Sequence, residues 1–497
     1  MIDLRQKKQI FYSALLLTGV NLLLRMVSTS FQVYLSGKIG AAGIGLVQLV
    51  LSVGIMSMTA GMAGIRTATM YLTAEELGHK KRGNVVWVLS GCFRYSLVCS
   101  ASVAIVLYLS APWLAHNWIG DIRTAGAIRL LSFSVPITCL CGVMTGYFTA
   151  ANRIGTLAAV EVAEQLLSMA ITIALLQFWA HSSPSKACQA VVGGSFVGAC
   201  FTLTTLIILR LRESVPSGPR ISVRSRLLQT AVPLAIADDL KTGITTTENL
   251  MVPKRLALYQ GIRDPLAAFG MVCGMVFPVL MFPAAILFGL AELLIPELAR
   301  CNAAGSRERI GYLVTRSLRV SMFYGCICCG IMYLCAGPVC MRLYGSAEAG
   351  KLLEGYALMV PFLYCDAITD AMTKGLGQQK VCVRYNIFTS AMDVVLLYLL
   401  LPEYGLAGYY FSFLVTHLLN FLLSLRRLIK ISHCRFAWYV PVLTGACTLF
   451  SIFTAAVLPY SWIRVMSFLL LLGSSLCLLK ILHREDLHWL WNLVRKK

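Results

Sequence analysis

Charged residues are scarce in this sequence. They make up 13% of the 497 residues, whereas about 25% is usual for a soluble domain, and 58% of the residues are hydrophobic. A water-soluble fold cannot hide this much apolar surface in its core, so the composition excludes a soluble protein. The sequence predicts a polytopic membrane protein.

Acidic residues are the scarcer of the two charged classes. The chain carries 22 Asp and Glu against 43 Lys and Arg, a formal net charge of +21. In a soluble protein this balance would suggest a nucleic-acid partner, but the basic cytoplasmic loops of membrane proteins produce the same excess. We therefore expect no nucleic-acid partner.

Features that enzymes and metalloproteins need are also missing. No loop between apolar segments is much longer than about 20 residues, which leaves no room for a soluble catalytic domain. The tightest group among the 18 cysteines, Cys326, Cys328 and Cys329, lies in an apolar run without nearby His, Asp or Glu. No exposed loop offers acidic metal ligands or a His and Asp pair. We predict a protein that is not an enzyme, with no catalytic residues, metal site or cofactor.

Apolar runs fill the chain instead. Fourteen of them, from Phe11 to Leu482, are about 20 residues long, enough to cross about 30 Å of hydrocarbon as helices. Most lysines and arginines fall between spans on the N-terminal side of the membrane, which predicts cytoplasmic termini. Leu and Trp residues alternate with charges from Glu485 to Lys497, a pattern typical of an interfacial helix.

A weak repeat organises the spans. Residues 75–82 resemble 297–309, and residues 146–153 resemble 375–380, at a common offset of about 220 residues. The repeat predicts an all-α membrane protein of two six-helix bundles plus two C-terminal helices. The predicted boundaries are 1–226 for the N-terminal lobe, 227–435 for the C-terminal lobe, and 436–497 for the two extra helices and the interfacial tail.

Several motifs resemble a known family. They are Arg25, Gly40 to Gly45, Gly64-Ile65, Gly146-Tyr147-Phe148 with Arg153, Ala231-Val232-Pro233-Leu234, Glu248 to Leu256, Phe277-Pro278 and Leu294-Ile295-Pro296-Glu297. Together they resemble the stage V sporulation protein B family. That family belongs to the polysaccharide-transport branch of the multidrug, oligosaccharidyl-lipid and polysaccharide exporter (MOP) superfamily. Arg66 departs from the pattern, since a small residue or Pro is expected there.

The resemblance implies a function. By analogy with lipid II flippases, the protein would move a lipid-linked oligosaccharide or peptidoglycan precursor across the bacterial cytoplasmic membrane by alternating access of two lobes. Its implied partners are a polyprenyl-diphosphate-linked saccharide, membrane lipids and cell-wall synthesis enzymes, with a role in sporulation. Spans 13 and 14 would form a groove for the polyprenyl tail.

Basic residues at membrane depth are the candidate substrate-binding residues. Such groups are costly in lipid and tend to face a cavity or a partner. Arg25 in span 1 and Lys241 at the equivalent place in span 7 suit the diphosphate of the lipid, and Arg255 just outside span 7 suits an external headgroup. Three alternatives remain open: Lys241 neutralised by Asp238, Arg25 paired with Asp239, and Arg255 anchored at the interface.

Acidic residues are the candidate coupling residues. Asp238, Asp239 and Glu248 in span 7 are predicted to bind the H⁺ or Na⁺ whose gradient resets the transporter. Charge neutralisation inside the bundle is the alternative. The other acids expected near helix ends, with solvated or capping roles, include Asp366, Asp370 and Asp393.

Two other functions fit the same features. A cation-coupled multidrug antiporter of the same superfamily would bind organic cations through the acids of span 7. A membrane scaffold in spore or cell-wall assembly, without transport, gains nothing obvious from charges buried in two equivalent helices.

Overall fold

The computed structural model describes residues 4–78, 83–179, 184–213, 223–432 and 439–479. Within these ranges every regular element is helical. The α-helices are α1 (Leu4–Met62), α2 (Ile65–Gly78), α3 (Asn84–Trp113), α4 (Ala125–Ala150), α5 (Ile154–Trp179), α6 (Pro184–Leu211), α7 (Arg224–Leu256), α8 (Pro265–Met271), α9 (Phe277–Met281), α10 (Ala284–Ala303), α11 (Arg307–Tyr344), α12 (Ala347–Ala357), α13 (Val360–Gly375), α14 (Gln379–Ser432), α15 (Tyr439–Ala456) and α16 (Ser461–Leu478). The predicted interfacial tail lies outside the described residues.

Two of the longest helices are broken at a single glycine. The break in α1 is at Gly40 (φ 70°, ψ 178°), and the break in α14 is at Gly405 (φ 57°, ψ −131°). Glycine adopts positive φ without the steric cost that a side chain brings. Each of these two helices therefore consists of two α-helical segments joined at one residue.

Two further pairs of helices are bent at a short break between them. The axes of 265–281 and 284–303 differ by 62°, and those of α12 and α13 differ by 56°. Pro283 lies at the first bend and Pro361 follows the second. A proline removes one backbone hydrogen bond and clashes with the preceding turn, which explains why the helices bend there.

The helices are long and apolar enough for many membrane crossings. In the part of the chain that the structure describes, nine helices meet this condition, or up to eleven if each bent pair is one span. The protein is therefore a multi-pass membrane protein. The predicted total of fourteen spans, and their division into two six-helix bundles, stay predictions.

Contacts divide the chain into two compact units. The first comprises Met1–Gly274 and Asn386–Tyr409, and the second comprises Met275–Tyr385 and Tyr410–Lys497. In the first unit α3 packs on α4, α5 on α6, and α7 and α8 on α1; in the second, α11 packs on α12, α13 and α15. The predicted lobe boundaries after residues 226 and 435 stay a prediction.

Glycines allow helix backbones to meet in the first unit. A β-carbon on Gly45 of α1 would collide with the carbonyl oxygen of Leu266, and one on Gly270 of α8 would collide with that of Ala41. Small residues are what permit such close approach between membrane helices. Part of the Gly40 to Gly45 motif is thus explained by packing against α8.

Ion pairs hold the first turn of α7. Arg226 binds Glu75 at 2.6 Å and Glu76 at 2.9 Å, both at the end of α2. Glu76 is buried and also accepts a hydrogen bond of 2.8 Å from Asn84 Nδ2. In the second unit Glu297, the repeat counterpart of this acidic stretch, binds Arg309 at 2.5 Å. The acidic stretches that the repeat matched therefore both form ion pairs with arginine.

Candidate functional site

Helix α7 carries five of the six predicted site residues. Its middle, from Asp238 to Asn249, holds two aspartates, a lysine, four threonines and a glutamate. This composition explains why α7 is not among the nine apolar helices of the described chain. Charged side chains in a membrane helix face protein or a water-filled space, because lipid cannot solvate them.

One polar face of α7 docks on α1. Thr246 Oγ1 donates to the Ser52 carbonyl oxygen at 3.3 Å, and Asn249 Nδ2 donates to Ser52 Oγ at 3.1 Å. Ser52 Oγ in turn donates to the Gln48 carbonyl oxygen at 2.9 Å. Because residues advance about 100° each around a helix, these contacts turn Glu248 away from α1.

Glu248 meets a second acid, Asp393 on α14. The two side chains lie close enough to interact, and Asp393 is 7% exposed. A carboxylate has no hydrogen to donate, so two carboxyl groups can hydrogen-bond to each other only when one of them carries a proton. Cys273, whose Sγ lies 3.7 Å from the Tyr409 hydroxyl, is near enough to interact electrostatically with Glu248. We call Glu248 and Asp393 the carboxyl pair.

The expectation of a solvated or capping role is wrong for two acids. Asp393 is buried in the carboxyl pair. Asp366 accepts hydrogen bonds of 3.0 Å at both oxygens from Asn420 Nδ2, inside the second unit. Both partners lie on other helices far along the chain, so no local pattern could reveal them. Asp370 does pair near its helix end, with Lys374 at 2.6 Å.

The remaining charges of α7 do not neutralise one another. Asp238 and Lys241 are exposed, and they form no ion pair within the described structure. Asp239 is half-buried, and its Oδ1 is buried without a hydrogen-bond partner among the residues described. Arg25 is half-buried on α1 and makes an interaction of its own, but not an ion pair with Asp239. The substrate-binding and coupling roles of these residues stay predictions.

Arg255 has a structural partner at the end of α7. Its guanidinium carbon lies 3.6 Å from the centre of the Tyr398 ring, and Nε and Nη2 donate to the Tyr398 carbonyl oxygen at 3.0 and 2.7 Å. The predicted alternative was an anchor at the lipid interface, whereas the contact found joins α7 to α14. One guanidinium nitrogen, Nη1, is not used in these contacts, and the predicted role in substrate binding stays a prediction.

The second unit contains an apolar cavity of about 700 Å³. Residues of α11, α13, α14 and α15 line it, among them Met322, Cys326, Cys329, Phe362, Cys365, Leu414, Leu418, Phe421, Gly445 and Leu449. Of the described residues that line it, Arg319 is the one that is charged. Among the described residues, α15, which corresponds to span 13, lines this cavity and α16 does not. The groove that the resemblance implies between spans 13 and 14 stays a prediction.

Comparisons with known proteins bear on the fold and the family. A family model described as "Polysaccharide biosynthesis protein" matches residues 44–260. Stage V sporulation protein B of Bacillus subtilis (strain 168) is 21% identical over 420 residues, covering 81% of this chain and 80% of that protein. The resemblance predicted from the sequence is confirmed.

Solved structures of transporters share the fold. The lipid II flippase MurJ in an inward closed conformation superposes with a TM-score of 0.70 at 13% identity, covering 93% of this chain and 98% of that one. An inward-facing multidrug resistance MATE family transporter of the MOP superfamily gives 0.66 at 14% identity, covering 84% and 99%. The fold is that of MOP transporters.

Proposed function

We propose that this protein is a flippase that moves a lipid-linked oligosaccharide or peptidoglycan precursor across the bacterial cytoplasmic membrane. The observation that carries the proposal is the apolar cavity of the second unit, which Arg319 lines. A lipid with an anionic head has matching chemistry, because an apolar chain fits the cavity wall and the charge on that wall is positive. No acid is among the described residues that line the cavity, although an organic cation would need one.

The proposed topology has fourteen spans and cytoplasmic termini. Eleven spans follow when each bent pair is counted once. Separating the two segments of α1 and of α14 adds two more, and α7, which has the length to cross a bilayer, adds another. This count agrees with the fourteen apolar runs of the sequence and returns the C-terminus to the side of the N-terminus.

Arg25 and Lys241 are the proposed ligands of the lipid diphosphate. Lys241 is exposed on α7 and has no ion-pair partner among the described residues, so its charge is available to a substrate. Arg can bind phosphate through two parallel hydrogen bonds, whereas Lys acts as a point charge. In the proposed cycle, a proton or Na⁺ bound by Glu248, Asp238 or Asp239 couples an ion gradient to alternating access of the two lobes.

A cation-coupled drug exporter is the second candidate. The exposed Asp238 and the half-buried Asp239 favour it, because neither forms an ion pair in the parts of the chain described and either could bind an organic cation. The flippase and drug-exporter hypotheses predict opposite charge on the substrate, and one assay can separate them.

The test is headgroup translocation in proteoliposomes. We expect the full chain to flip a fluorescent polyprenyl-diphosphate saccharide, and Arg25→Ala and Lys241→Ala each to slow flipping by about tenfold, the loss of one charge-assisted contact. Arg426→Ala, which removes an exposed arginine of α14, is the matched control and should flip at the natural rate. If both substitutions leave the flipping rate unchanged, Arg25 and Lys241 do not bind the phosphate. No flipping of any polyprenyl lipid, together with ion-dependent efflux of an organic cation, would favour the exporter.

A second prediction concerns the apolar cavity. A β-carbon on Gly445 meets no atom within 4 Å, so Gly445→Trp should place its indole in the cavity without unfolding the protein. We expect flipping to fall by about tenfold as the cavity is filled, with the thermal midpoint unchanged. Gly473→Trp on α16 is the matched control, since Gly473 has equally open surroundings but does not line the cavity. Normal flipping by Gly445→Trp would mean that the lipid chain uses another path.

A further inference from the structure

A second cavity, of about 750 Å³, lies between α3 and α7 in the first unit. Two arginines line it, Arg94 on α3 and Arg224 at the first residue of α7, together with Trp87, Ser90 and Gly91. We call it the basic cavity. None of the predicted site residues lines it, so it is separate from the groups assigned to transport.

The described residues do not balance the charges of the basic cavity. Among them no acid lines the cavity, and neither Arg94 nor Arg224 forms an ion pair or a hydrogen bond. The nearby acids at the end of α2 are bound by Arg226 instead. Along α7 the next acids after Arg224 are Asp238 and Asp239, about 21 Å or more along the helix axis. Two guanidinium groups facing one space attract an anion.

Neutral donors add to the two charges. The first turn of α7 lines the cavity, and it has neither a side-chain cap at Val223 nor an acid. The free N–H groups of a helix start carry partial positive charge and bind phosphate well. Ser90 contributes a hydroxyl on the facing helix. Guanidinium, backbone N–H and hydroxyl groups all donate hydrogen bonds, and phosphate oxygens accept such bonds.

The remaining lining has the character of a lipid-exposed surface. Trp87 is in the first turn of α3, where tryptophan prefers the headgroup level of a bilayer. Val98 is 67% exposed and Leu228 is 38% exposed, and both line the same cavity. Arg94 lies about 15 Å along α3 from its start, and a long arginine side chain can reach back from there toward the headgroups. This lining suits a ligand that combines a phosphate with apolar chains, and a phospholipid has both.

We infer that the basic cavity binds the phosphate headgroup of an anionic membrane phospholipid. In the proposed topology this lipid belongs to the cytoplasmic leaflet, and basic pockets between membrane helices on that side suit such headgroups. The bound phosphate bridges α3 to the start of α7. Binding itself does not depend on the transported lipid, so it can be tested apart from the flippase proposal.

The experiment uses Trp87 as a reporter of its own lipid neighbours. The full chain is placed in nanodiscs of phosphatidylcholine with increasing brominated phosphatidylglycerol, and the signal of Trp87 is the difference between the protein and Trp87→Phe. We expect half-maximal quenching at a mole fraction about tenfold lower than with brominated phosphatidylcholine. Arg94→Gln with Arg224→Gln should remove that preference.

Matched variants keep the result interpretable. Arg426→Gln with Lys430→Gln removes two exposed charges of α14 and should keep the preference. Gly91→Leu keeps both arginines but fills the cavity, since a β-carbon there first meets Val223 at 3.5 Å, and it should also remove the preference. Equal quenching by the two lipids, or equal loss in the α14 variant, would overturn the proposal. Relief of quenching by unlabelled polyprenyl diphosphate or by inorganic phosphate would assign the cavity to those ligands and overturn it as well.

Discussion

Gly64→Ala is expected to destabilise the protein by about 3 kcal/mol, the sum of a strained backbone and a forced separation of helices. Gly64 has φ +71° in the turn between α1 and α2, a conformation that costs a side chain about 1 to 2 kcal/mol. An added β-carbon would also collide with the carbonyl oxygen of Ala231 on α7. Backbone atoms cannot yield as a flexible side chain can, so α7 would have to move away.

Gly40→Ala separates the two contributions. Gly40 has nearly the same φ, +70°, but a β-carbon there meets no atom within 4 Å. It should therefore show the backbone cost alone. Thermal midpoints can be compared through thiol-reactive fluorescence, because most of the cysteines in the described residues are buried and become reactive on unfolding. If Gly64→Ala is no less stable than Gly40→Ala, the close contact with α7 does not hold.

Glu248→Gln is expected to abolish the response of transport to an imposed pH gradient. A glutamine amide can donate to Asp393, so the contact and the fold survive, but an amide cannot take up and release a proton as a carboxyl group can. Glu248→Ala instead leaves Asp393 buried without a carboxyl partner and should lower stability as well. In proteoliposomes, a gradient that speeds flipping by the natural protein should leave the Glu248→Gln rate unchanged.

Glu164→Gln provides the control for this loss. Glu164 is a half-buried acid on α5 and accepts a hydrogen bond of 2.6 Å from Thr202, away from α7. It should keep the full response to the gradient. If Glu248→Gln responds to the pH gradient as the natural protein does, the carboxyl pair has no role in coupling. If transport by the natural protein responds to a Na⁺ gradient alone, the coupling ion is Na⁺ and not H⁺.

Local patterns made the membrane class and the presence of many apolar helices predictable. Apolar runs are detected within about 20 residues, and the charge excess between them follows from the same local composition. Residues 35–43 and 402–405 separate apolar runs of the sequence. Each stretch contains a one-residue break, because Gly40 and Gly405 supply the positive φ that allows two segments to meet directly.

The site depends on pairs that sequence spacing does not reveal. Asp238, three residues before Lys241, suggested an ion pair that the structure does not form. The partner of Glu248 is on α14, and Arg255 also finds its partner there, in Tyr398. Such contacts are decided by how helices pack in three dimensions, whereas spacing reports only neighbours on one helix.

The single-residue breaks in α1 and α14 have a mechanical consequence. A flexible loop absorbs the displacement of one helix before the next helix responds. A joint at one glycine has only two soft torsion angles, φ and ψ, so tilting one segment of α1 must swing the other unless Gly40 itself rotates. Each break therefore couples the two segments of its helix, so that a tilt of one segment displaces the other.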